Sequence, residues 1–437
     1  MKSTSLPAGY RYAREPRWFV RAAILLAGLP AALTAQTALT WQQIKDKFEA
    51  ANPTLRAAQL TIDESRAAEI TAFLRPNPEL SLSTDGTQIS TFNSGGTYRP
   101  LSGTQFMPGI GYLHEREQKR ELRLETAQKT TDVTVSACSD QERGLIFNLR
   151  TAWVQVLQAK AFLQNAKDNL VYWDRELGIS RTRFAAGDLS QVDLNRLILV
   201  RPQFESDFET ATVNLRTAKI QLLQLLNDRT PIEQFDVSGT YDYTDSLISM
   251  DEFQNQALAA RPDLREALQS LELAKLTHKL AVANGSSDPT FSVWFTHNPS
   301  FNNPYAHDTL GASVSIPLRI FDRNQGEKVR TQIDIGRNEK LVDAAQAQIF
   351  SDVDSAYVTL VGALNLLRPY KAGYLDLAGK TRDMIQFSYR NGGASLLDYL
   401  DAEKSYRDVR LAYLNLIGSY LTAAAQMNMA VGREVLQ

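Results

Sequence analysis

Apolar side chains recur every three or four residues along most of the chain, and this spacing predicts long helices. Two such series precede residues 184 and 389, and two more follow residues 194 and 399. Their average period of 3.5 residues is typical of coiled-coil seams, in which one face of each helix stays against its partner. We therefore expect antiparallel coiled-coil helices, many of whose contact positions are alanine. The first series consists of Leu145, Leu149, Ala152, Val156, Ala159, Leu163, Ala166 and Leu170, and its counterpart consists of Ile349, Val353, Ala356, Leu360, Ala363 and Leu367.

A short motif occurs twice between the helical segments, at 184–194 and at 389–399. Each copy has a glycine, a serine three residues later and an aspartate three residues after the serine. A glycine at this place can adopt the left-handed conformation that ends a helix, and the serine hydroxyl can then cap the next helix. Each copy therefore predicts a tight turn between two helices, which we call a tip. The motif residues are Gly187, Ser190 and Asp193 in the first tip and Gly392, Ser395 and Asp398 in the second.

Alternation of apolar and small polar residues interrupts the helical pattern in both halves of the chain. The first half alternates at 79–85 and, less regularly, at 104–113, whereas the second half alternates at 291–296 and 309–316. A period of two is typical of β-strands. We therefore expect two β-hairpins, at about 79–113 and about 290–318.

The order of these segments indicates an internal duplication. We expect a first repeat at 36–227, a linker at 228–247 and a second repeat at 248–437. Each repeat contains an opening helix, a hairpin, a long helix, a tip and a return helix. The long helices are expected to run without interruption from about Glu115 and about Gln325 to their tips. The fold class is therefore mainly α with a small β part.

The N-terminus has the features of an export signal. Basic residues up to Arg21 precede an apolar run at 22–33, and small residues that fit a cleavage site follow. We expect a signal peptide at 1–35. The alternative is an N-terminal membrane anchor, although the run is short for a span and contains Pro30. An exported chain of this kind is periplasmic, secreted or an outer-membrane barrel.

Composition argues against several classes of function. The 437 residues carry a formal net charge of −2, so nothing favours nucleic acid as a partner. The single cysteine, Cys138, excludes an intrachain disulfide, and the four histidines are scattered. The sequence contains no phosphate-binding loop, paired metal-ligand motif or nucleophile–base spacing. We therefore expect no enzyme activity, no catalytic residue, no metal site and no cofactor.

Four amphipathic strands are too few to form a membrane pore within one chain. An open sheet edge in a membrane leaves backbone groups without partners, and about eight strands are the usual minimum for a closed barrel. If the hairpins enter a membrane, the chain must oligomerise, and three copies would supply twelve strands. Trp294, which alternates within its strand, is then expected to mark a membrane interface. The alternative is a small soluble sheet at the end of a coiled coil.

Several of these features together resemble the TolC-like outer-membrane efflux family. The resemblance covers nearly the whole mature chain and rests on the duplication, both tips and four short proline-containing segments. Those segments are Asn52-Pro53, Arg261-Pro262, the approach to the first strand at 75–80 and Ile316-Pro317-Leu318 at the end of the last strand. The Asn-Pro-Glu-Leu sequence at 77–80 is most similar to the branch that works with heavy-metal resistance pumps.

The resemblance implies a homotrimeric duct with a twelve-stranded barrel in the outer membrane and a long periplasmic helical tunnel. Coiled helices close the tunnel at its inner end. It opens when a periplasmic adaptor (membrane-fusion) protein and an inner-membrane pump of the RND or ABC type dock. The pump supplies the energy, and the duct passively conducts small solutes such as metal ions or drugs.

The resemblance also implies roles for residues at the tips. Gly187, Ser190, Gly392 and Ser395 match the positions that contact the adaptor in the family. Asp398 and Asp401 match the carboxylates around the inner aperture. Some relatives have a basic residue where this chain has Ala394, so an ion-pair latch at that position is not expected here.

The spacing of the two aspartates supports the same hypothesis independently. Asp398 and Asp401 are three residues apart and therefore lie on one helix face. Threefold symmetry would make them a ring of six carboxylates, which favours cations and repels itself. The alternative is that both are solvated surface residues near a turn. Asp193 is the first-repeat counterpart of Asp398, and a role for it at the pore is open.

Two other functions are open, and only the first of them keeps the same architecture. One is an exit duct for type I protein secretion, for which an ATP-driven exporter would be the partner. The other is a structural coiled-coil protein that spans the periplasm, which would have no conductance in a lipid bilayer.

Overall fold

The computed structural model describes residues 38–90, 96–101, 103–298 and 305–436. Its described part is mainly helical with one small sheet, as the sequence predicts. The expected signal peptide at 1–35 and parts of both hairpin loops lie outside the described residues.

Nine α-helices account for most of this part of the chain. In the first half they are α1 (Trp41–Ala51), α2 (Pro53–Ala72), α3 (Lys119–Ala185) and α4 (Gln191–Leu225). In the second half they are α5 (Met250–Ala260), α6 (Pro262–Ala283), α7 (Gln325–Pro369), α8 (Leu375–Arg390) and α9 (Leu396–Val431). A short 3₁₀ turn, Ile232–Gln234, lies between the two halves. The 67 residues of α3 span about 100 Å.

The four strands form a single antiparallel sheet in chain order. They are β1 (Glu79–Asp85), β2 (Gln105–Leu113), β3 (Thr290–His297) and β4 (Asp308–Ser315). The two hairpins join through β2 and β3, where Ile110 lies opposite Val293. Consequently β1 and β4 are the edges of the sheet.

The two faces of the sheet differ in character. One row across all four strands is apolar and consists of Leu80, Ile110, Val293 and Ala312. The adjacent row, on the opposite face, consists of Ser81, Gly109, Trp294 and Gly311. Trp294 therefore lies on the face of small and polar residues rather than with the apolar side chains.

The helices pack in two tiers along α3. Its N-terminal half lies between α2 and α6, with α7 beyond α6. Its C-terminal half lies between α4 and α9, with α7 and α8 beyond α9. The outer helices of this arrangement are therefore α2 and α4 on one side and α7 and α8 on the other. Within the described ranges, no helix is both long and apolar enough to cross a membrane.

The second long helix differs from the uninterrupted helix that the sequence predicts. It is divided into α7 and α8 by a π-helical turn, Tyr370–Tyr374. The turn directly follows Pro369, which has no backbone N–H to donate to the preceding helical turn, and π-turns are a common cause of helix irregularity. The first long helix also starts later than expected, because Glu117 and Gln118 adopt left-handed conformations before Lys119.

Two clusters of buried side chains hold the helices together. The larger joins α1, α3, α4, α5, α6, α7 and α9 and includes Phe235 and Val237 of the linker. The smaller lies beside the tips and joins α3, α4 and α9. The buried members of the smaller cluster are Trp173, Leu177, Leu197, Phe204, Leu396 and Tyr399.

Candidate functional site at the helical tips

The first tip has the backbone geometry that its sequence predicts. After α3 ends, Gly187 adopts a φ of +84°, a left-handed conformation that favours glycine. Ser190 then caps α4, and its hydroxyl oxygen accepts a hydrogen bond from the backbone N–H of Asp193 at 3.0 Å. The same hydroxyl donates to the Asp193 carboxylate at 2.9 Å. The expected turn and cap are confirmed.

The second tip repeats this geometry with one further hydrogen bond. Gly392 has a φ of +77°, and the Ser395 hydroxyl oxygen accepts from the backbone N–H of Asp398 at 3.2 Å. In return, the Asp398 carboxylate accepts from the backbone N–H of Ser395 at 3.0 Å and from its hydroxyl at 2.7 Å. This reciprocal arrangement is a capping box. The hydrogen bond from the Ser395 hydroxyl lowers the pKa of Asp398.

The three candidate aperture carboxylates are therefore not equivalent. Asp398 and Asp193 each have an oxygen engaged by the serine that caps their own helix. Asp401 lies one turn further along α9 and is exposed. Within the described part of the chain, no hydrogen bond or ion pair engages the Asp401 carboxylate. Asp401 is thus the carboxylate with both oxygens available to solvent or a cation.

A row of stacked aromatic rings supports the tips, and the sequence pattern did not reveal it. Trp173 of α3 stacks on Phe204 of α4 with ring centroids 5.0 Å apart and lies 6.4 Å from Tyr399 of α9. Tyr399 in turn stacks on Tyr389 of α8 at 5.2 Å. Such pairs stabilise packing beyond the area that they bury. The row therefore connects all four helices that end or begin at the tips.

Charged side chains connect the same helices around these rings. Glu176 of α3, which is largely buried, forms an ion pair with Arg390 at the end of α8. Arg183 of α3 lies over the Tyr389 ring at 5.4 Å. These contacts join the end of α3 to the end of α8, so the two tips lie side by side within one chain.

A buried carboxyl group lies two residues beyond Asp401 on α9. Glu403 is 3 % exposed, and its Oε2 is 4.0 Å from Nε of Arg382 on α8. That oxygen has no hydrogen-bond partner among the described residues. Burial raises the pKa of Glu403, although Arg382 and Arg407 oppose the shift. The packing between α8 and α9 therefore favours the neutral form of Glu403.

Large apolar side chains are exposed around both tips. Exposed apolar groups of this kind, bordered by polar residues, are typical of protein interaction surfaces. The tips thus combine a rigid capped backbone with an apolar surface. The exposed side chains are Phe184, Val192, Met384, Phe387 and Leu397.

The part of the chain that the structure describes offers no group of three or more His, Cys, Asp or Glu side chains that could hold a metal ion. The features of the tips are helix caps, stacked rings, one exposed carboxylate and an apolar surface.

Comparison with known proteins gives a consistent result over nearly the whole described chain. A family model described as outer membrane efflux protein matches residues 46–230 and 254–433. The two matched segments are separated by the linker region.

Characterised relatives are similar over most of their length. The cobalt-zinc-cadmium resistance protein CzcC of Cupriavidus metallidurans is 25 % identical over 399 residues, which cover 87 % of each chain. The outer membrane protein TolC of Salmonella enteritidis is 24 % identical over 436 residues, covering 91 % of this chain and 83 % of TolC.

Solved structures show the same fold. The crystal structure of CusC superposes with a TM-score of 0.73 at 18 % identity and covers 90 % of this chain and 92 % of CusC. The outer membrane protein VceC of Vibrio cholerae superposes with a TM-score of 0.70 at 14 % identity, covering 90 % of this chain and 96 % of VceC.

Proposed function

The chain belongs to the outer membrane efflux protein family, and on that premise we propose that it is the exit duct of a tripartite efflux system. Three copies form a passive channel across the outer membrane, with a helical tunnel in the periplasm. An inner-membrane pump delivers small solutes to the tunnel through a periplasmic adaptor protein.

The main support for this proposal is the four-stranded sheet, which has two open edges, one apolar face and one face of small and polar residues. Both β1 and β4 lack a second strand partner in the described chain, and one face exposes Leu80, Leu82, Leu310 and Val314. An open edge is not stable in a lipid bilayer. Pairing β4 of one copy with β1 of the next removes every edge and yields twelve strands, with the apolar face toward lipid.

The outer helices support the same mode of assembly. On one side, α4 exposes Leu199 and Val213. On the other side, α7 exposes Leu366 and α8 exposes Leu377. A head-to-tail contact between unlike surfaces closes into a ring when the rotation between copies allows it. Strand β1 directly follows α2 and strand β4 directly precedes α7, so each edge of the sheet is joined to an outer helix of one of these two sides.

We assign the inner aperture to the start of α9, beside the second tip. In a threefold assembly Asp401 supplies three exposed carboxylates, and Asp398 supplies three more that are partly engaged by their caps. A ring of carboxylates favours cations. The exposed apolar residues at the tips, together with Gly187, Ser190, Gly392 and Ser395, form the docking surface for the adaptor.

The substrate class that we favour is divalent metal ions. The Asn-Pro-Glu-Leu sequence at 77–80 is similar to that of the heavy-metal branch, and CzcC is named for resistance to cobalt, zinc and cadmium. The exposed carboxylate at Asp401 is compatible with such a cargo.

A susceptibility panel tests the proposal. A strain that lacks the chain and the same strain carrying it on a plasmid are compared on divalent metals, organic antibiotics and dyes. Sensitivity of the deletion strain to metals alone supports metal export, whereas sensitivity to organic compounds makes the chain a multidrug duct. Unchanged susceptibility, with loss of a secreted protein from the medium, contradicts the proposal and favours protein secretion.

A further inference from the structure

A cavity of about 240 Å³ lies at the middle of the chain, between α1, α3 and α9. It is separate from the tips and from the sheet. Part of its lining is apolar and includes Ile146, Phe147, Ala425 and Met429. Cavities that combine apolar walls with a few polar groups are typical of small-molecule sites.

Arg150 lies at this cavity with an unusual set of contacts. Its guanidinium carbon is 4.5 Å from the centre of the Trp41 ring and 4.6 Å from the centre of a Trp153 ring. The two tryptophans contact each other, with centroids 5.7 Å apart. These cation–π contacts fix the position of the guanidinium group. Within the described residues, however, no acceptor is hydrogen-bonded to any of its N–H groups.

The nearby carboxylate of Glu434 does not accept a hydrogen bond from Arg150. The Glu434 carboxylate accepts a hydrogen bond from the Trp41 indole N–H at 3.1 Å and lies 3.5 Å from Nζ of Lys45. It interacts with Arg150 only through longer-range attraction. The five donors of a guanidinium group are arranged to bind a planar carboxylate through two parallel hydrogen bonds. Arg150 is therefore fixed in position, but no carboxylate of the described residues is hydrogen-bonded to its guanidinium group.

The other charges around the cavity favour an anion. Lys45, Arg143 and Arg433 line it together with Arg150, and Arg143 is already paired with Asp140 at 2.7 Å. The acidic residues that line the cavity are Glu434, already described, and Glu142. Burial, assisted by the nearby Glu49, raises the pKa of Glu142, so its negative charge is disfavoured. The cavity therefore presents more positive than negative charge.

The cavity is also remote from the surfaces that we expect copies of the chain to share. Its walls come mainly from α3 and α9, which lie between other helices of the same chain. The expected contacts between copies involve α2, α4, α7 and α8 instead. Closure of a ring would therefore leave the cavity open.

We propose that this cavity binds a small carboxylate with an apolar body, whose carboxylate pairs with Arg150 and whose body lies against Phe147 and Met429. Bidentate pairing on a guanidinium that is already positioned loses little side-chain entropy on binding. This site goes beyond the duct function and does not depend on it.

Isothermal titration calorimetry of the purified mature protein tests the site without any mutation. The probe is 4-phenylbutyrate, and the control ligand is its neutral amide, which has the same shape. We expect saturable binding of the carboxylate and at least tenfold weaker binding of the amide. Equal affinity for the two ligands, or no saturable heat with either, overturns the proposal.

Two variants then locate the binding. Arg150→Met keeps a long apolar side chain beside the indole rings but removes the donors, and we expect at least a tenfold loss of carboxylate affinity. Arg150→Lys keeps the charge but not the paired donors, so we expect an intermediate loss. Arg181→Met alters an exposed arginine of α3 outside the cavity and serves as the matched control. Circular dichroism checks that each variant is folded, and unchanged affinity in folded Arg150→Met rejects the site.

Discussion

Asn52 and Arg261 perform the same structural task at equivalent junctions of the two repeats. The Asn52 side-chain N–H donates to the carbonyl of Leu225 at the end of α4 at 3.0 Å. An Arg261 N–H donates to the carbonyl of Ala430 at the end of α9 at 3.2 Å. Each residue precedes a proline that begins the next helix, where proline is well tolerated. In each repeat one side chain therefore joins the end of a returning helix to the start of an opening helix.

We predict that Arg261→Ala destabilises the chain by about 2–3 kcal/mol, because the variant leaves charged and carbonyl groups without their partner. Arg261 is 3 % exposed and also pairs with Asp263 at 2.6 Å and Asp352 at 2.8 Å. Thermal unfolding followed by circular dichroism measures the effect. Arg265→Ala, at an exposed arginine of α6, is the control. If the two variants had equal melting temperatures, the contacts of Arg261 would not contribute to the stability of the fold.

Replacing Gly392 with valine is expected to distort the second tip. Its φ of +77° is disfavoured for a residue with a side chain by roughly 1–2 kcal/mol, and more for a β-branched one. We expect weaker retention of the adaptor in a pull-down experiment with normal amounts of folded protein. Gly144→Val, within α3 with no neighbouring atom near the position, is the control. Normal adaptor retention by the Gly392 variant would count against the tip as the docking surface.

Asp401 and Asp398 should respond differently to neutralisation. Asp401→Asn removes an exposed charge without breaking a described contact, so we expect reduced cation selectivity and little change in stability. Asp398→Asn weakens the capping box, and a lost cap typically costs about 1 kcal/mol. The reversal potential in a salt gradient reports the first effect, and the melting temperature reports the second. Unchanged cation selectivity in Asp401→Asn would show that Asp401 does not lie at the aperture.

The buried side chain of Glu403 is expected to make the stability of the folded chain depend on pH. Its folded-state pKa is raised, so its contribution to stability is present below the ordinary pKa of a glutamic acid and is lost as pH rises through the raised value. We expect Glu403→Gln to melt higher than the native chain at neutral pH, with the difference shrinking toward acidic pH.

The matched control is Asp383→Asn, because Asp383 lies on α8 and also pairs with Arg382, but is exposed. Other charges that act on Glu403 are those of Arg407 and Glu176. A melting difference between Glu403→Gln and the native chain that does not vary with pH would show that folding does not shift the pKa of Glu403.

Gly311 is expected to set the width of the barrel lumen. A β-carbon at Gly311 would lie 2.4 Å from the Trp294 ring, which is too close without movement of the ring. In the proposed barrel this ring faces the lumen, so Gly311→Ala should push it inward and lower conductance. The double variant Gly311→Ala with Trp294→Ala should restore or exceed native conductance. If Gly311→Ala conducts normally, Trp294 does not face the lumen.

Local features of the sequence predicted the backbone well. The alternation at 79–85 coincides with β1, and the glycines and serines of both tips adopt the expected conformations because turn and cap preferences are local. The expected roles of the tip residues in docking and at the aperture stay predictions, as does the signal peptide.

Features that depend on long-range contacts were not visible in the sequence. The aromatic row forms only after four helices have packed, so no spacing along the chain predicts it. Its members are Trp173, Phe204, Tyr399 and Tyr389. The π-turn arises from Pro369 in a helix that packing otherwise maintains. Likewise, Trp294 was expected at a membrane interface, but the face on which it lies became clear only from its register with Gly109 and Gly311.

Copies of this chain are proposed to close into a membrane-spanning duct, and single-channel recording in a planar lipid bilayer can detect such a duct. We expect the purified mature protein to insert and to give discrete, cation-selective conductance steps of uniform size. A protein that is demonstrably folded and present in the bilayer but gives no conductance would contradict the account and favour a structural coiled-coil protein.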